Sequence, residues 1–195
     1  AGVFNLLINT FSAPQAWVQE TGRDNLQIIP GNIETGTAQI VLNAQNRPLD
    51  AIEQAIKPLA RQYDYIVFDT APSVGGIQER AVWAANLVII PVSTDYLAVD
   101  GLGKTLAMLA KLTQASWKGK LLGILPTFYD TVTRESKAAL NYLHQHYPEL
   151  VLTPIHRATI LRECVSSTKT IWEKDPVSLP ALDYQPLVKT ILKAV

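Results

Sequence analysis

Tyr65-Ile66-Val67-Phe68 is an unbroken apolar run of aromatic and β-branched residues that stops at a carboxylate, Asp69. Such a run suits a strand buried on both faces of a parallel sheet. Asp69 and Thr70 then stand at its carboxyl end, the edge where open α/β sheets bind ligands. Pro72, Gly75 and Gly76 let the following loop turn sharply. A carboxylate there has two readings, a ligand for a hard cation or a cap on the strand end.

The rest of the chain alternates between helical and strand periods. Ala1 to Asn9 and Ala13 to Glu20 read as short helices, and Asp24 to Pro30 reads as a strand carrying Leu26, Ile28 and Ile29. Leu49, Ile52, Ile56 and Leu59 recur at helical spacing, with Pro48 in the first turn and Pro58 as a stop. Gln78 to Ala85 predicts a helix ending at Asn86, and Leu87 to Val92 a buried strand closed by Pro91. Leu102, Leu106, Leu109 and Leu112 mark one face of a longer helix. Leu121 to Phe128 and Leu150 to Ile155 read as strands either side of a helix over Thr133 to His146. The tail from Leu182 to Val195 has a helical stripe at 184, 187, 188, 191, 192 and 195. This alternation predicts an α/β fold over residues 1–195 as one domain, with a mostly parallel, doubly wound sheet flanked by helices.

The stretch from Arg61 to Gly76, Arg-Gln-Tyr-Asp-Tyr-Ile-Val-Phe-Asp-Thr-Ala-Pro-Ser-Val-Gly-Gly, resembles the acidic strand and switch loop of the ParA/MinD family of deviant P-loop ATPases. The family form is Tyr-Asp-Tyr-Ile-Ile-Ile-Asp-Thr-Pro-Pro-Ser, and Ala71 replaces its first proline. The resemblance implies that Asp69 helps hold the Mg²⁺ of bound ATP through water. It also implies that the loop from Thr70 onward senses the γ-phosphate.

Pro126-Thr127-Phe128-Tyr129-Asp130 resembles the family's Pro-Thr-Met-Tyr-Asp, which implies that Thr127 and Asp130 lie beside the nucleotide base and ribose. Asp130 fits equally as the N-cap of the helix that follows, and the two roles can coexist. Ile155-His156-Arg157 and Leu161-Arg162-Glu163-Cys164 resemble the family's Ile-Pro-Arg and Leu-Xaa-Glu-Ala, with His156 for proline and Cys164 for alanine. That region lies near the base and the dimer surface in the family. Arg157 is therefore a nucleotide neighbour by resemblance, and Arg157, Arg162 and Lys169 are candidates for contacts with DNA phosphates.

The family's phosphate loop, Lys-Gly-Gly-Xaa-Gly-Lys-Thr, and the strand ending in Asp-Xaa-Asp-Pro have no counterpart in the 195 residues. The resemblance covers residues 22–195 and implies a family fold incomplete at its amino end, lacking the first strand, phosphate loop, helix and second strand. Ala98-Val-Asp-Gly-Leu-Gly-Lys104-Thr105 meets a relaxed phosphate-loop pattern. Ser93 to Leu97 separate it from the preceding strand, however, so Lys104 reads as an exposed helical residue.

Basic and acidic side chains balance at 17 each, so any DNA contact must be a local patch. The single cysteine, Cys164, excludes an intramolecular disulfide and points to a reducing compartment. No apolar run reaches the roughly 18 residues of a membrane span, and the reading is cytoplasmic, nucleoid-associated by resemblance. The terminal stripe has only Lys189 and Lys193 as basic residues. Packing on its own domain explains that stripe more simply than the membrane helix of the MinD branch. The histidines and Cys164 show no metal-ligand spacing.

The resemblance implies ATP-dependent partition of plasmid or chromosomal DNA by a homodimer that binds DNA non-specifically and answers to a centromere-binding partner. Without the phosphate loop, hydrolysis by this chain alone is not expected. The alternatives are a nucleotide-independent dimerisation or interaction module, or a MinD-like membrane-associated ATPase.

Overall fold

Among residues 2–8, 13–71 and 76–194, which the computed structural model describes (96 and 97 by backbone alone), some apolar periods become the expected elements and others do not. The chain forms two units, Ala1–Asn86 with Met108–Gly119 and Leu87–Ala107 with Lys120–Val195. Each is described by itself.

In the first unit, helices α1 (Val3–Ile8), α2 (Glu34–Ala44), α3 (Ala51–Ile56) and α4 (Ile77–Ala84) enclose a core of Leu7, Ala38, Leu42, Ala51, Ile52 and Ala81. Burying each large apolar side chain of such a core stabilises the fold by about 1.5–3 kcal/mol relative to leaving it exposed. The first expected helix forms, with Ala1 and Asn9 outside the described residues. Helix α3 stops at Ile56, before Pro58. Nothing in the sequence period announced α2, whose buried residues are only Ala38 and Leu42.

The helix expected over Ala13 to Glu20 does not form. Pro14–Trp17 makes one 3-10 turn, and strand β1 (Gln19–Arg23) pairs antiparallel with β2 (Leu26–Ile28). Gly22 and Asn25 both have positive φ, 77° and 58°. The turn chemistry of Asp24-Asn25 outweighs a weak helical spacing. The strand expected from Asp24 to Pro30 is thus one arm of an exposed hairpin.

Tyr65 to Phe68 departs furthest from expectation, because it has no regular structure and no ladder partner among the described residues. Tyr65, Ile66 and Val67 are 48%, 39% and 87% exposed, and Phe68 alone packs against the core. An apolar run becomes a buried central strand only when neighbours pair with both of its edges.

In the second unit, β3 (Leu87–Ser93) and β4 (Lys120–Thr127) pair in parallel from Leu87↔Lys120 to Ser93↔Thr127. Pro91 lies inside β3, opposite Leu125, rather than closing it. A proline without an N–H is tolerated in such a strand where its edge is unpaired. The strand expected at Leu150 to Ile155 is reduced to parallel bridges, Ile124↔Val151 and Tyr129↔His156. It runs so close to β4 that a Cβ on Gly123 would lie 2.8 Å from the Leu150 carbonyl.

Helix α5 (Tyr96–Gln114) buries Leu102, Leu109 and Leu112 as its period requires. Helices α6 (Arg134–His146), α7 (Thr159–Ser166), α8 (Ile171–Lys174) and α9 (Leu179–Ala194) follow. Cys164, Ile171 and Ala181 form a small core joining the last three. In α9 the buried residues are Pro180, Ala181 and Asp183, while Val188 and Leu192 of the predicted stripe are 40% and 57% exposed. The architecture is α/β, with the parallel pair β3 and β4 in the second unit and helices in both units.

Candidate functional site

The carboxyl ends of β3 and β4 gather several of the expected site residues. Beyond the last register pair, the Thr94 amide donates to the Thr127 carbonyl at 3.0 Å. Thr94 is buried, and its Oγ1 lies 2.6 Å from Ser136 Oγ on α6 and 3.3 Å from the Thr127 and Phe128 carbonyls. Ser136 Oγ, also buried, accepts from the Asp130 amide at 2.9 Å. All hydroxyls are satisfied when Ser136 donates to Thr94 and Thr94 donates to a carbonyl. A fully paired buried network of this kind is rigid, and here it fixes residues 127–130 to the start of α6.

Within that loop Phe128 adopts φ 53° and is 60% exposed. For a bulky L-residue this left-handed conformation costs about 1–2 kcal/mol, and such strain concentrates at functional positions. The neighbours hold it: Tyr129 N–H donates to the Ile155 carbonyl at 3.0 Å, and Arg157 N–H to the Tyr129 carbonyl at 2.9 Å. No residue type in Pro-Thr-Phe-Tyr-Asp signals this, so the sequence did not reveal it.

Asp130 is not the N-cap of α6. That position belongs to Thr133, and Asp130 Oδ1 instead accepts from the Val132 amide at 2.8 Å, closing a local turn. Thr127, Asp130 and Arg157 therefore share one sheet edge, with Arg157 exposed and the other two half-buried. His156 packs its ring on Tyr129 and bonds to Asp183 of α9. Burial first, and the Asp183 carboxylate second, push the adjacent Tyr184 phenol above its ordinary pKa.

Asp69 and Thr70 belong to the first unit and are exposed. Pro72 and Gly75 of the expected loop lie outside the described residues. The loop re-enters at Gly76, whose φ of 61° is open to glycine and costly for other residues. Its carbonyl accepts from Arg80 Nη1 at 3.1 Å. Arg80, expected only as part of a short helix, is 7% exposed and also bonds to Asn43 Oδ1 and to the Arg47 and Pro48 carbonyls.

Lys104 and the whole of Ala98 to Thr105 lie inside α5, so no phosphate-cradling loop forms there. Arg157, Arg162 and Lys169 are all exposed. Lys169 follows the carboxyl end of α7, where its amide donates to the Cys164 carbonyl in a cap turned by Thr168 at φ 52°. Among the described residues no His, Cys, Asp and Glu side chains gather as a metal-binding set. Asp69 belongs to no such set. The edge at Thr127 to Asp130 presents a hydroxyl and a carboxylate beside the exposed Phe128.

An AAA domain family matches residues 1–121. The sporulation initiation inhibitor protein Soj of Bacillus subtilis is 30% identical over 177 residues, 89% of this chain and 70% of Soj. The chain belongs to the ParA-type partition ATPase family, within the ParA/MinD superfamily. The cell division protein PomZ of Myxococcus xanthus is likewise 30% identical, over 90% of this chain, which spans only 56% of PomZ.

Two solved structures show the ParA/MinD-type fold directly. An ATP complex of a McdA variant from Cyanothece matches with a TM-score of 0.87 at 20% identity, covering 100% of this chain and 75% of that one. Cobyrinic acid a,c-diamide synthase of Mycobacterium smegmatis, with an ATP analog and magnesium, matches at 0.80 and 26% identity, covering 99% and 72%. The ParA-type chain has no helix, among the described residues, long and apolar enough to cross a membrane.

Proposed function

We propose that this ParA-type chain acts in the cytoplasm, at the nucleoid, in partition of plasmid or chromosomal DNA, and that in the complete family form it is an ATP-dependent dimerisation and DNA-binding switch. The observation that carries the reading is the convergence of Thr127, Asp130 and Arg157 on one strained, hydrogen-bonded edge beside Tyr129. Thr127 and Asp130 accept from or donate to the nucleoside, and Asp69 accepts from the water shell of Mg²⁺, with Thr70 beginning the segment that senses the γ-phosphate. Bound Mg-ATP supplies the negative charge and the cleavable phosphate that make such a switch reversible. The homodimer then offers Arg157, Arg162 and Lys169 to DNA phosphates, and a centromere-binding partner promotes release.

DNA binding tests this reading. Anisotropy of a labelled random duplex is followed against salt, with and without Mg-ATP. Replacing Arg157 and Arg162 by Ala is expected to lower the slope of log affinity against log salt by about 1 per residue. An unchanged slope, or binding indifferent to ATP, would remove the switch.

The exposed Tyr65, Ile66 and Val67 favour a second reading, a nucleotide-independent interaction module in which this unpaired segment receives a strand of another chain. In that case dimerisation persists without nucleotide.

A further inference from the structure

His156 meets Asp183 twice. Its backbone N–H donates to Asp183 Oδ2 at 2.9 Å, and its ring Nδ1 lies 2.8 Å from the same oxygen. Asp183 is 7% exposed near the start of α9. A buried carboxylate needs donors, and His156 supplies both of these. The family sequence that this segment resembles has proline here, which has neither a backbone N–H nor a side-chain donor. The ring contact therefore depends on the histidine, and the backbone contact on any residue other than proline.

The other side of His156 faces the candidate nucleoside edge. Its ring stands 5.3 Å from the Tyr129 ring, tilted by 59°. On the backbone, Tyr129 donates to Ile155 and accepts from Arg157, the two neighbours of His156. Helix α9 thus holds residues 155–157 through Asp183, and residues 155–157 hold Tyr129 beside the strained Phe128. Loss of the Asp183 anchor frees the segment that fixes Tyr129.

We infer that His156 and Asp183 are positioning residues, a latch from α9 that sets Tyr129 and Arg157 for the nucleoside part of a nucleotide and not for its phosphates. The ligand in this statement rests on the proposed function. The latch itself does not.

The test uses the full chain with Asp183→Ala, His156→Ala and His156→Asn, the last retaining a side-chain donor near the position of Nδ1. Amide hydrogen exchange at Tyr129 and Arg157 is expected to rise at least tenfold in the two Ala variants. Amides inside β3 should keep their rates, and His156→Asn should restore most of the protection. In calorimetry with Mg²⁺, ATP should weaken about tenfold in the Ala variants while inorganic triphosphate is unaffected. Unchanged exchange at Tyr129 and Arg157 would overturn the latch, and equal losses for ATP and triphosphate would reduce it to general scaffolding. If the unaltered chain binds neither ligand, the nucleotide reading fails and the exchange rates alone decide the latch.

Discussion

Arg80 donates from Nη1 to the carbonyl of Gly76, 3.1 Å away, so the residue that ends the expected switch loop is tied to the first turns of α4. The same guanidinium reaches Asn43, Arg47 and Pro48, joining the end of α2 to that loop. All four acceptors are uncharged, and the side chain is buried. Arg80→Met keeps much of the volume and removes every donor, leaving buried acceptors unpaired. The expected loss is about 3 kcal/mol in urea unfolding. Arg80→Lys should lose less, though it lacks the planar fork that reaches several acceptors at once. A loss below about 1 kcal/mol for Arg80→Met would contradict this role.

Ser116 ends α5 at φ 75°, where its amide donates to Thr113 and the Trp117 amide to Leu112. This is the helix-ending position that glycine fills without steric cost. Ser116 is exposed, so Ser116→Gly removes strain without opening a cavity. Stability should rise by about 0.5–1 kcal/mol, less the added freedom of the unfolded chain. A thermal midpoint that falls would show that the serine does more than turn the chain.

Much of the second unit was legible because its apolar runs also have partners in the chain. Leu87 to Val92 and all but the last residue of Leu121 to Phe128 became neighbouring parallel strands, and the 3.6-residue period of α5 located its buried face. Tyr65 to Phe68 carries the same signal, but a strand is a property of a pair, and no described segment pairs with it. Helix α2 was missed because Glu34–Ala44 buries only Ala38 and Leu42 and includes residues that favour turns. At the site, only the resemblance of Pro126 to Asp130 to a family segment pointed to Thr127 and Asp130. The left-handed Phe128, the Thr94 to Ser136 network and the buried Arg80 arise from tertiary contacts that local pattern does not encode.

That network gives its own prediction. Ser136→Ala removes the 2.6 Å contact with Thr94 and the acceptor for the Asp130 amide. The expected cost is about 1–3 kcal/mol, measured by chemical unfolding. Thr94→Val, which leaves Ser136 able to accept from Asp130, should weaken nucleotide binding less than Ser136→Ala. The opposite order would mean that Asp130 does not depend on this anchor.

Tyr184 adds a pH dependence. Its phenol is raised above the ordinary value near 10 by burial and then by Asp183. The folded state thus holds this proton more tightly than the unfolded chain does. Its contribution to stability is complete below the unfolded pKa and is lost as pH rises through the folded one. Tyr184→Phe keeps the ring against Trp172, where the centroids are 6.1 Å apart, and removes the ionisation. Unfolding curves across the alkaline range should show a shallower decline for Tyr184→Phe than for the unaltered chain. Parallel curves would rule out this contribution.

The central proposal, that the edge at Thr127 to Asp130 serves the nucleoside of a nucleotide, is tested most directly by calorimetry of Mg-ATP. The unaltered chain is compared with Asp130→Ala, Asp69→Ala and Lys104→Ala. The account predicts binding that weakens about tenfold or more in Asp130→Ala, weakens in Asp69→Ala only when Mg²⁺ is present, and is unchanged in Lys104→Ala. Absence of binding, or binding lost in Lys104→Ala and kept in Asp130→Ala, would contradict it.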